Sequence, residues 1–168
     1  MDNILYYKDY IYGYMRNYLQ QYVNVEYTAS QITENIFISD LASSLNKEKL
    51  KENGITDILC AVLGFEPAYP DDFNYMNIHV RDVDNEDLFY YFDECSDYIN
   101  SVIEKGGKIL VHCSYGVSRS ASLVIAYLIK YQKMSYEDAY KLVKEKRNII
   151  EPNDGFKKQL QKYHIDLI

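Results

Sequence analysis

Within residues 1–27 the apolar positions Ile4, Tyr7, Ile11, Tyr14 and Tyr18 recur at alternating steps of three and four, the spacing of one helix face. Leu5, Met15, Leu19 and Tyr22 widen that face, while Gly13 weakens it by about 1 kcal/mol. This pattern predicts an N-terminal amphipathic helical arm. Its apolar stripe needs cover, either from its own domain or from a homodimer or other partner. Few basic residues accompany the stripe, which argues against lipid contact.

From residue 28 onward the period changes. Short apolar runs at 36–39, 56–62, 75–80 and 108–112 read as strands. Helical periodicity covers 41–53, 88–104, 120–131 and 136–147, with a short last helix after Pro152. Gly54 and Gly106 stand where helices would stop, and Ser135 with Asp138 forms a capping-box-like start. Strands alternating with helices predict one compact α/β domain over 28–168, with a mostly parallel twisted sheet flanked by helices on both faces.

Composition narrows the function classes. The 168 residues are 48% hydrophobic and 26% charged, which excludes wholesale disorder and suits a single core. No apolar run is long enough to span a bilayer, and the first ten residues lack a signal-peptide pattern. The expectation is therefore a cytoplasmic protein with no membrane association. Cys60, Cys95 and Cys113 are odd in number and without framework spacing, so reduced thiols and no metal site are expected.

Charge is unevenly placed. Residues 66–104 carry eleven acidic side chains against Arg81 alone, whereas residues 130–168 carry nine basic and six acidic ones. An acidic belt disfavours nucleic-acid binding, which needs basic surface to displace counterions. It favours basic partners.

The chemistry concentrates in residues 108–129, KILVHCSYGVSRSASLVIAYLI. Here an apolar strand ends in His112 and Cys113, a loop closes at Arg119, and a helix begins. Five residues between thiol and guanidinium, namely Ser114, Tyr115, Gly116, Val117 and Ser118, suffice to wrap one tetrahedral anion. Backbone N–H groups in such a nest, on the positive end of a helix, favour both a phosphate and a thiolate. Cys113 is the candidate nucleophile, since a cation and a helix N-terminus lower a thiol pKa. Arg119 offers a planar fork for two phosphate oxygens. Ser120 can donate to the Cys113 sulfur, and His112 either orients the loop or is a satisfied core histidine.

HCSYGVSRSAS resembles, residue by residue, the signature of the cysteine-dependent dual-specificity protein phosphatases of the protein-tyrosine-phosphatase superfamily. Further matches are ISDLASSLNKEKLKENGITDIL, HVRDVDNEDLFYYFDECSDYI, AYLIKYQKMSYEDAYKLVKEKR and EPNDGFKKQL, together spanning about 30–163. The resemblance implies a metal-free, cofactor-free phosphatase acting on phosphotyrosine and phosphoserine or phosphothreonine in phosphoprotein substrates. It also implies a phosphocysteine on Cys113 and an aspartate as general acid and then base. Family spacing to the cysteine selects Asp82, with Asp84 as the alternative and Asp87 read as a helix start. Tyr115, Phe89 and Tyr90 either shape the rim or pack. Some relatives link a second cysteine to the nucleophile under oxidation, which makes Cys60 a candidate. The other readings are an RNA 5′-phosphatase of the same superfamily and a non-catalytic phospho-binding module.

Overall fold

The computed structural model describes residues 26–168. The arm read from positions 4–22 lies outside the described residues. The remainder forms a five-stranded sheet in the order β1-β2-β5-β3-β4. Its strands are β1 (Ser30–Gln31), β2 (Ile36–Ser39), β3 (Asp57–Ala61), β4 (Asn74–Ile78) and β5 (Ile109–His112). The β1/β2 pair is antiparallel; β2/β5, β3/β5 and β3/β4 are parallel. The helices are α1 (Leu41–Ser44), α2 (Lys47–Glu52), α3 (Phe89–Glu104), α4 (Arg119–Gln132), α5 (Tyr136–Lys146) and α6 (Asp154–Asp166).

Strands β2, β3 and β5 are buried along their whole length, as parallel strands covered on both faces must be. Side-chain alternation divides them between two cores of unequal size. Ile36, Ile38, Leu59, Ile109 and Val111 join the larger core, built with α3 to α6. Phe37, Ile58 and Leu110 face the smaller one, closed by Leu50 of α2, Ile55 and Phe73. One sheet face is thus covered by four helices, and the other by a single short helix and loop side chains. Helix α4 is buried at every position from Arg119 to Ile129. Such all-round burial marks it as the central helix.

Two sequence expectations need correction, and one strand was not expected. The helix expected over 41–53 is two, because Asn46 accepts the Lys49 N–H at 3.0 Å and caps a new start just after Asp40 has capped the first. The last helix is not short: α6 runs thirteen residues, with Phe156, Leu160 and Tyr163 inserted into the core at helical spacing. Strand β1 is only two residues long and left no periodic signal. The capping of α5 by Ser135 is as expected, with the Asp138 N–H donating to its hydroxyl at 3.1 Å. Gly54 and Gly106 end their helices with positive φ. No helix among the described residues is long and apolar enough to cross a membrane.

Phe156 is fully buried and fixes α6 against the core. Phe156→Ala is expected to lower unfolding free energy by about 3–5 kcal/mol, measurable by chemical denaturation.

Candidate active site

The parallel strands all point their C-terminal ends at one edge of the sheet, where open α/β sheets place their ligands. There β5 delivers His112, and the chain turns through residues 113–118 into α4. The loop is held from outside by its carbonyls. Ser114 C=O accepts the Leu41 N–H at 3.3 Å, and Val117 C=O accepts the Glu151 N–H at 2.9 Å. Gly116 C=O accepts Arg147 Nε at 2.8 Å. With these carbonyls engaged outward, the Gly116 N–H turns inward and donates to Cys113 Sγ at 3.3 Å. Gly116 has φ +67°, and a Cβ there would lie 2.6 Å from both the Ser39 carbonyl and Arg147 Nη2. Backbone conformation and close approach both demand glycine.

Arg147 ties this loop to the start of the domain. Its Nη1 donates to Thr28 C=O at 2.5 Å and to Ser30 Oγ at 3.1 Å, while its Nε holds Gly116. Nothing in the sequence patterning singled out Arg147.

Cys113, Ser114, Arg119 and Ser120 are all buried, so the loop floor is closed and its ions are desolvated. Burial pushes the Cys113 pKa up. The Arg119 guanidinium, the Ser120 hydroxyl at 3.3 Å and the Ser120 main chain more than reverse this, leaving the thiol below its ordinary value. Arg119 donates from Nη1 to Val80 C=O at 3.2 Å and from Nη2 to Ser114 Oγ at 3.0 Å. His112 is buried beneath the loop, edge-on to Phe65. Burial drives its pKa down to about 4, so at neutral pH it is uncharged and adds no cation to the site.

Asp82 lies on the irregular segment after β4. Its Oδ1 accepts from Ser118 Oγ at 2.7 Å and from Asn153 Nδ2 at 3.0 Å, and its Oδ2 is 3.7 Å from Arg119 Nε. The segment therefore brings Asp82, not Asp84, onto the signature loop. Asp84 instead lies with its backbone against Gly155. Asp87 stands just before the Leu88 N-cap of α3 and accepts the Tyr90 N–H at 3.2 Å. Phe89 packs against Phe92 and Tyr163 and is a core-edge residue, whereas Tyr90 and Tyr115 are exposed. Tyr115 stands on the loop itself, at its rim. Cys60 is on β3, in register with His112, and burial pushes its thiol up to about 12. Cys95 is a buried residue of α3.

A buried thiol with lowered pKa, a guanidinium, an inward N–H and a carboxyl converge on one loop, which can hold a tetrahedral dianion and attack it. Residues 36–166 match the family described as "Dual specificity phosphatase, catalytic domain". The chain belongs to that family. Among similar dual specificity phosphatases, protein phosphatase 1B of Arabidopsis thaliana is 43% identical over 134 residues, covering 80% of each chain. Human dual specificity protein phosphatase 18 is 42% identical over 138 residues, 82% of this chain and 73% of its own. The human tyrosine phosphatase-like serine/threonine/tyrosine-interacting protein superposes with a TM-score of 0.79 at 32% identity, covering 82% of this chain and 96% of that one. Human DUSP28 gives 0.81 at 27%, covering 85% and 97%. As in the sequence expectation, this dual specificity phosphatase domain is mixed α/β with a mostly parallel sheet.

The lowered Cys113 pKa has a measurable sign. Thiolate fraction rises with pH, so alkylation of Cys113 by iodoacetamide is expected to reach half its maximal rate at a lower pH than for an ordinary thiol. Ser120→Ala removes one of the lowering hydrogen bonds and should move that midpoint upward. Peptide-resolved mass spectrometry across a pH series checks both.

Proposed function

We propose that this dual specificity phosphatase hydrolyses phosphotyrosine and phosphoserine or phosphothreonine on proteins through a Cys113 phosphocysteine. The observation that carries the reading is the 3.3 Å approach of both Ser120 Oγ and the Gly116 N–H to Cys113 Sγ inside a loop closed by buried Arg119. The substrate phosphate sits in the loop formed by Ser114, Tyr115, Gly116, Val117, Ser118 and Arg119. Thiolate Sγ attacks phosphorus, forming the S–P bond as the P–O bond to the substrate breaks, and Asp82 gives its proton to the departing oxygen. Arg119 stabilises charge on the equatorial oxygens. In the second step Asp82 takes a proton from water as the water oxygen bonds to phosphorus and the S–P bond breaks, releasing inorganic phosphate, and the Ser120 hydroxyl supports the returning thiolate. His112, neutral and buried, orients the loop from below. No step calls on a cofactor or metal.

Cys113→Ser should bind phosphate-like ligands and turn over at less than about a thousandth of the native rate. Asp82→Asn should lose about a hundredfold on an alkyl phosphate, whose leaving group needs the proton, and far less on an activated aryl phosphate. If Asp84→Asn shows that split and Asp82→Asn does not, the acid is Asp84. Parallel assays on 5′-triphosphate RNA discriminate the RNA phosphatase reading, and the absence of any turnover would indicate a binding module.

Substrates are read as phosphosites flanked by Lys or Arg. Part of the acidic belt is already matched: Asp72 pairs with Lys47 and Lys51, Glu86 with Arg81, and Asp93 and Asp97 with Lys130. The support for steering therefore comes from Asp84 and Asp87, exposed on the same segment as Asp82. At low salt, kcat/KM should be severalfold higher for basic-flanked than for acidic-flanked phosphopeptides. The difference should shrink at physiological salt, where screening confines such fields to about 8 Å. Residues 1–27 are read as an appendage outside the catalytic unit, packed on it or paired with a second copy. The cytoplasm is the compartment we assign.

A further inference from the structure

The run EPNDGFKKQL has no role in the chemistry above, yet three of its residues, two by side chain and one by backbone, meet the segment that carries Asp82. That segment leaves β4 and does not become regular again until α3. Its own backbone bonds are sparse, from the Glu86 N–H to Val83 C=O at 3.1 Å and the Leu88 N–H to Glu86 C=O at 3.2 Å. Ordering each such residue costs about 1 kcal/mol or more in backbone entropy. The offsetting contacts must come from outside, and α6 supplies them.

We infer that the first two turns of α6 form the bed that positions Asp82 for proton transfer, with Asn153 as the positioning residue; this rests on Asp82 being the acid. Asn153 acts from both ends of its side chain. Its Oδ1 accepts the Phe156 N–H at 2.9 Å and caps α6, while its Nδ2 donates to Asp82 Oδ1 at 3.0 Å. Its main-chain N–H also donates to Ser118 Oγ at 3.1 Å. That bond occupies a lone pair of the hydroxyl and directs the Ser118 proton to Asp82 Oδ1, 2.7 Å away. Two donors thus fix Oδ1 in place, and they set the plane of the carboxyl whose Oδ2 lies 3.7 Å from Arg119 Nε.

Gly155 and Gln159 fix the rest of the segment. A Cβ on Gly155 would fall 1.9 Å from the Asp84 carbonyl oxygen, so helix and loop backbones touch directly there. One turn later, Gln159 Nε2 donates to Glu86 C=O at 2.8 Å and its Oε1 accepts the Phe89 N–H at 2.8 Å. Spacing of four places positions 155 and 159 on one stripe of the helix. Phe156, Leu160 and Tyr163 anchor the helix from its buried side. The acid is thus held over the loop before substrate arrives.

The test is a double-mutant cycle read with two leaving groups. Asn153→Ser keeps a capping hydroxyl for α6 and removes the donor to Asp82. It should lower kcat about tenfold on an alkyl phosphate, the worth of one hydrogen bond to a charged or reacting group, and less than twofold on an activated aryl phosphate. Gly155→Ala, which displaces the segment without touching Asp82, should show the same split. In an Asp82→Asn background neither change should cost anything further, because the group they position is already gone. Equal losses on both substrates, a loss that persists beside Asp82→Asn, or no loss at all would each overturn the positioning role. If the Asp82→Asn single variant itself lacks the leaving-group split, the assignment of the acid fails first, and that variant alone identifies the failure.

Discussion

A guanidinium with 1% of its surface exposed is the constraint around which the domain is arranged. Taking such an ion out of water costs several kcal/mol unless acceptors and opposite charge surround it. Arg119 meets Val80 C=O from the chain leaving β4, Ser114 Oγ from the loop leaving β5, and the Asp82 carboxyl from the segment between β4 and α3. Two stretches of chain, the one that follows β4 and the loop that follows β5, must therefore converge at the start of α4. Placing β5 between β2 and β3, with β4 next, brings their C-terminal ends together on one edge.

The same requirement couples the ions to each other. Cys113 is fully buried, and burial alone would keep its thiol protonated; the arginine charge and the Ser120 hydrogen bond reverse that. Desolvation makes each of these interactions stronger than it would be at the surface. A neutral His112 beneath them adds no further cation. The loop therefore concentrates positive potential in its concavity, where the equatorial oxygens of a phosphoryl group would develop charge.

Much of this was legible in residues 108–129, because a strand, a five-residue loop and a helix start are short-range features whose spacing is fixed by covalent geometry. Asp82 is reached only by register with the family; its contact with Ser118, 36 positions away, leaves no mark in the sequence pattern. Less visible were partners distant in sequence. Asn153 is 71 residues from Asp82 and Arg147 is 31 from Gly116, and no periodicity reports such meetings. The break between α1 and α2 was missed because Asn46 competes for the backbone from inside an apolar pattern that still reads as helical. The asymmetry of the two sheet faces was also hidden, since fully buried strands lack the alternation that would mark one side as thinner.

Arg147 gives the first residues of the domain an unexpected reach. One guanidinium spans Thr28 C=O, Ser30 Oγ and Gly116 C=O, so the chain entering the sheet and the loop that would receive phosphate are two ends of a single rigid crosspiece. Where a recombinant chain is cut becomes a chemical choice: beginning it at residue 36, where the family match starts, would delete two of that guanidinium's acceptors and slacken the signature loop from behind. Conversely, any force or ligand that displaces residue 28 is transmitted to Gly116 through one side chain, a mechanical linkage written entirely in hydrogen bonds.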